Sequence, residues 1–135
     1  MPTSNYLAKK MVVGVVLALL ALPIFSNPND PIMIFTERHS GTVVSIKRDQ
    51  AFEVVLHTNP TTGYRWEAVS FSKDILRQDA IKFFPHSELY GSGAVVMFQF
   101  KALVPGETDL VIAYFRPFEP NTPYNRLFHI KIKVI

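Results

Sequence analysis

Ala51-Phe52-Glu53-Val54-Val55-Leu56-His57-Thr58 sets a wholly apolar row against a mixed one. Phe52, Val54 and Leu56 fall on one side of the segment, and Glu53, Val55 and His57 on the other. A period of two residues is that of a strand with one face buried. The same alternation recurs further along the chain. Tyr64, Trp66 and Ala68 stand opposite Arg65 and Glu67; Val96, Phe98, Phe100 and Ala102 opposite Met97, Gln99 and Lys101. Leu110, Ile112 and Tyr114 alternate with Val111, Ala113 and Phe115, and Phe128, Ile130, Ile132 and Val134 with His129, Lys131 and Lys133. Shorter strands are expected at 32–35, 42–46 and 81–84, with Pro85 ending the last or placing it at a sheet edge. Residues 72–79 have room for one helical turn. Val104-Pro105-Gly106-Glu107 has the Pro-Gly order of a type II turn and predicts a hairpin.

Seven to eight short strands in roughly 100 residues, with no long amphipathic helix, predict an all-β, immunoglobulin-like antiparallel β-sandwich. Trp66, the single tryptophan, lies where such sandwiches bury one. A closed barrel is the structural alternative.

Before this domain, Lys9 and Lys10 precede an apolar run from Met11 to Phe25, and the polar, Pro-rich stretch Asn27-Pro28-Asn29-Asp30-Pro31 follows. That order describes a signal peptide over 1–26, with the domain at 27–135. The run falls short of the roughly 20 residues that cross a bilayer. The expected location is therefore exported, periplasmic or secreted, with no membrane contact after cleavage. An uncleaved signal would leave the domain membrane-tethered. Export permits disulfides, but the chain has no cysteine, so the core alone must hold the fold. The absence also removes a thiol nucleophile and thiolate metal ligands. The signal carries two of the 14 basic residues and none of the 11 acidic ones. The remaining domain is almost neutral, which gives no electrostatic case for nucleic acid.

Three segments do not read as plain connections. In Asn59-Pro60-Thr61-Thr62-Gly63-Tyr64, Pro60 fixes its own φ and restricts Asn59, while Gly63 permits a positive φ where the chain re-enters a strand. Taken alone it is a rigid turn. Leu89-Tyr90-Gly91-Ser92-Gly93-Ala94 allows tight curvature, but a strand and not a helix follows it, so it is no phosphate-binding loop. Arg116-Pro117-Phe118 holds an aromatic ring on a stiff segment ahead of Glu119-Pro120-Asn121-Thr122-Pro123-Tyr124, which suits a binding anchor. Packing of Phe118 on the sandwich edge would account for it equally well. Alternate connections of an immunoglobulin-like sandwich gather at one end, so the three segments should share a tip.

The set resembles the chagasin family of cysteine protease inhibitors. The family's Asn-Pro-Thr-Thr-Gly-aromatic motif is matched by Asn59, Pro60, Thr61, Thr62, Gly63 and Tyr64. Its Gly-x-Gly-Gly motif is matched at Gly91, Ser92 and Gly93 and departs at Ala94. Its Arg-Pro-aromatic motif is matched by Arg116, Pro117 and Phe118. The resemblance implies reversible, non-covalent occlusion of a papain-like cysteine protease by a monomer. Thr61 and Thr62 would lie over the catalytic cysteine, Phe118 against the aromatic wall beside the catalytic histidine, and residues 91–94 across the other side of the cleft. A Cβ at Ala94 would there weaken the clamp or alter its selectivity.

No metal, cofactor or catalytic role is expected. His39, His57, His86 and His129 have no metal-ligand spacing, and no carboxylate pair stands on a common element. An exported adhesion or assembly module is the alternative that the fold alone allows.

Overall fold

The computed structural model describes residues 29–86, 93–119 and 121–135. The expected signal peptide and Gly91 and Ser92 lie outside the described residues. Eight strands follow in order: β1 (Met33–Thr36), β2 (Val43–Ile46), β3 (Ala51–Thr58), β4 (Arg65–Ser70), β5 (Leu76–Pro85), β6 (Ala94–Ala102), β7 (Gly106–Phe115) and β8 (Arg126–Val134). They form two four-stranded sheets, ordered β1-β3-β6-β5 and β2-β8-β7-β4. The architecture is the expected immunoglobulin-like sandwich. The two N-terminal strands add parallel edges, β1 beside β3 and β2 beside β8; the other neighbours are antiparallel.

The two-residue period decides the core. Phe52, Val54 and Leu56 of β3 and Phe98, Phe100 and Ala102 of β6 face Leu110 and Ile112 of β7 and Phe128, Ile130 and Ile132 of β8, all essentially inaccessible to solvent. Phe52 stacks on Phe100 with ring centroids 5.3 Å apart. Each fully buried side chain of this size contributes about 1.5–3 kcal/mol, which lets a chain without disulfides hold together. Trp66 is buried as expected, and its indole N–H donates to the His57 carbonyl at 2.8 Å, tying the two sheets together.

Three expectations are revised. Pro105 and Gly106 do not close a hairpin, because β6 and β7 lie in different sheets. Both flanks of β6 are already taken by β3 and β5, so the next strand has no edge there and must cross to the other sheet. The strand expected at 81–84 begins earlier, at Leu76. A single turn, in which the Ile75 and Leu76 N–H groups donate to the Ser72 carbonyl, occupies only the start of the stretch given to a helical turn. Pro85 does end β5, and β5 is an edge strand.

The registers put the β3–β4, β5–β6 and β7–β8 connections at one pole of the sandwich. Thr58 pairs with Ala94, Arg65 with Phe115 and Tyr114 with Arg126 at that end. The β6–β7 crossing lies at the opposite pole, where Ala51 pairs with Lys101 and Gly106 with Val134.

Candidate functional site

At the centre of this pole, Asn59 to Gly63 folds on itself. Pro60–Thr62 is one turn of 3-10 helix with Asn59 as its N-cap, proline at its first position and Gly63 in the left-handed region as its C-cap. These are the residue types that each place favours. The Thr61 N–H and hydroxyl donate to Asn59 Oδ1 at 3.2 and 2.7 Å. The Thr62 hydroxyl donates to the Asn59 carbonyl at 2.6 Å. Both hydroxyls therefore donate inside the loop.

Two side chains from neighbouring strands brace the loop. Buried Tyr114 accepts the Asn59 N–H at its hydroxyl, 3.2 Å away, and its ring stacks on Tyr64 at 5.2 Å. It thus touches both ends of the turn. Arg116 donates from Nε to the Thr62 carbonyl at 3.1 Å, its guanidinium carbon lies 4.5 Å from the Tyr64 ring centroid, and Nη1 meets the Glu119 carboxylate at 3.4 Å. The third segment turns back at once, the Glu119 N–H donating to the Arg116 carbonyl. That turn leaves Phe118 70% exposed, the largest value for a large hydrophobic side chain among the described residues. Its ring edge rests on Gly63, where an added Cβ would stand 3.0 Å from Cε1. The first and third segments thus form one contiguous surface.

The second segment meets the first at its base. Gly93 has φ +85°, its carbonyl accepts the His86 N–H at 3.1 Å, and a Cβ there would lie 3.6 Å from the Thr58 carbonyl oxygen. Ala94 corrects one expectation. It opens the inward row of β6 and is 1% exposed, so its Cβ points into the sandwich rather than out from the tip. No positive φ is required of it, since Asp49 is the one non-glycine with positive φ among the described residues.

The aromatic layer below the tip was not anticipated. Trp66 packs on Tyr114 at 4.8 Å, and Arg126 lies over both rings at 5.3 and 5.6 Å. Arg126 and the His57 ring in turn meet Glu37, at 3.7 and 3.1 Å. In sequence these aromatics show only as inward strand positions; their stacking depends on which strands become neighbours. Among the described residues no group of His, Asp or Glu could hold a metal ion.

Residues 45–132 match the model of the family described as "Chagasin family peptidase inhibitor I42". The chain belongs to the chagasin family. It is similar to Amoebiasin-2 of Entamoeba histolytica, 35% identical over 91 residues covering 65% of this chain and 73% of that one. It is also similar to Amoebiasin-1 of the same organism, 31% identical over 104 residues covering 76% and 99%. The crystal structure of a cysteine protease inhibitor from Entamoeba histolytica superposes with a TM-score of 0.70 at 28% identity, covering 81% of this chain and all of that one. Members of the chagasin family are inhibitors, not enzymes.

Proposed function

We propose that this chagasin-family protein is a reversible, non-covalent inhibitor of papain-like cysteine proteases, closing the active-site cleft with three adjacent loops. The observation that carries the reading is the mutual bracing of the first and third loops through Arg116, Tyr114 and the Gly63–Phe118 contact. Loops already fixed lose little freedom on docking, so more of the contact energy becomes affinity. Thr61 and Thr62 sit over the catalytic cysteine, presenting methyl groups and backbone from a 3-10 turn. Such a turn does not offer the extended backbone that a protease cleaves, which supports resistance to the target. Phe118, rigid and exposed, packs beside the catalytic histidine, posed by Arg116 and Pro117. Residues 91–93 flank the other side, and Ala94 anchors that loop from within the sandwich. Relatives named as cysteine protease inhibitors support the target class, and the basic and apolar start of the chain supports an exported location after cleavage near residue 26.

The test is titration of papain with the purified domain. Stoichiometric inhibition is expected, weakened at least tenfold by Thr61→Glu and by Phe118→Ala with the fold retained. Absence of inhibition by the folded wild-type protein overturns the proposal and favours the adhesion reading. Rapid cleavage between Thr61 and Thr62, seen by mass spectrometry, would refute the resistance argument alone.

A further inference from the structure

Ile81 and Phe83 occupy an unusual place in the sandwich. They stand opposite Phe98 and Val96 across the β5–β6 ladder, and directly paired residues project from the same face of a sheet. Both therefore point toward the space between the sheets, yet they are 52% and 51% exposed. The sandwich is left unfilled here. Between the β4 and β5 edges runs a groove of about 370 Å³, lined by Tyr64 and Trp66 at the β4 side, by Ile81 and Phe83 of β5, and by Thr58 and Pro60. Its lining is mostly apolar; the charged side chains among it, Arg65 and Glu67, pair with each other at 3.7 Å.

The groove opens between two of the three loops. Pro60 and Tyr64 belong to the first, and Phe83 lies just before the second, which leaves β5 after Pro85 and returns at Gly93. A protease wall resting across both loops would lie over its mouth. We propose that this groove is an additional docking site for the target protease, receiving one non-polar side chain, aliphatic or aromatic, from the cleft wall that spans the first two loops. The inference rests on the inhibitor reading above and extends that surface down the side of the sandwich. It gives a physical reason for leaving two large side chains half in water: their remaining burial is completed by the partner.

The test measures dissociation from active papain, read as recovery of activity on dilution, using the wild-type protein, Ile81→Ser, Phe83→Ser and Phe84→Ser. Phe84 is an internal control. It lies on the same strand and is 48% exposed, but it pairs with Val95 on the outer face. Dissociation roughly tenfold faster is expected for Ile81→Ser and Phe83→Ser, and an unchanged rate for Phe84→Ser. A second readout uses Trp66, the single tryptophan. Labelled as 5-fluorotryptophan, it gives one fluorine resonance at the groove wall, and that resonance should shift in the complex with wild-type protein and shift less in Phe83→Ser. Inhibition by the wild-type protein with unchanged dissociation of Phe83→Ser overturns the groove and leaves the inhibitor reading standing, as does an equal effect of Phe84→Ser. Failure of the wild-type protein to bind papain overturns both.

Discussion

At the residue scale, Gly63 and Tyr114 decide the shape of the tip. Gly63 has φ +82° and supports the Phe118 ring edge. Alanine there adds left-handed strain of about 1–2 kcal/mol and a methyl group against the ring. Gly63→Ala should therefore lower the melting temperature by several degrees and weaken protease inhibition more than that loss of stability explains. Both are read from thermal scans and inhibition titrations of the same preparation. Tyr114 gives the Asn59 N–H its acceptor. Tyr114→Phe keeps the stacking on Tyr64 and Trp66 and removes only this bond, worth about 1 kcal/mol. Dissociation from the protease should quicken roughly fivefold, and the Asn59 amide should exchange faster with solvent. An unchanged amide exchange rate would show that the hydroxyl does not hold the loop. The role of Gly63 could be read from its place in the motif. That of Tyr114 could not, because it is 55 residues from Asn59 and is written as one more inward residue of a strand.

At the scale of elements, the β1 edge is pinned by the 3-10 turn Glu37–His39 that follows it. Partial burial by itself raises the Glu37 carboxyl. The hydrogen bonds from the His57 N–H and ring, the Glu37 N–H and the charge of His57 together outweigh that effect and hold it below its ordinary value. A depressed carboxylate contributes stability that is fully present above its unfolded value, about 4.3, and lost as the pH falls through the folded one. Wild-type protein should thus melt higher than Glu37→Gln at neutral pH, and the gap should close as the pH is taken below about 4. A gap that stays constant under acid would mean that the carboxylate charge is not the stabilising feature. The β4 and β5 edges are managed differently. Each carries a register shift, at Ala68/Ser70 and at Gln78/Ala80, and such irregularities discourage edge-to-edge pairing. Beyond the second shift β5 runs on with Ile81 and Phe83 half exposed, where the groove lies. Strand existence followed from alternation in the sequence. The bounds of β5 did not, because its first half, Leu76 to Ala80, holds three polar side chains in five residues and carries no clear period.

At the scale of the whole molecule, stability depends on one core shared by two sheets, with no cysteine to supplement it. Phe100 touches both Phe52 and Phe98 in stacked geometry and Phe71 edge-on. Phe100→Ala should cost about 3–5 kcal/mol, enough to bring a domain of ordinary stability close to unfolding. Denaturant melts with unchanged slope and a much lower midpoint would confirm the loss, whereas a shift under about 1 kcal/mol would mean that the core collapses into the space. By itself the sequence determined that the strands exist, which of their faces turn inward and which three segments carry the family's motifs; it did not fix where β5 begins. Those are properties of local period and of residue type, and a chain states them directly. Tertiary structure alone decided that β6 and β7 part into different sheets, that Tyr114 and Arg116 brace a loop distant in sequence, and that the sandwich stays open between Tyr64, Trp66, Ile81 and Phe83. Each of these depends on which strand becomes whose neighbour, and pairing is settled by competition among strands for free edges and buried area, which no single segment encodes.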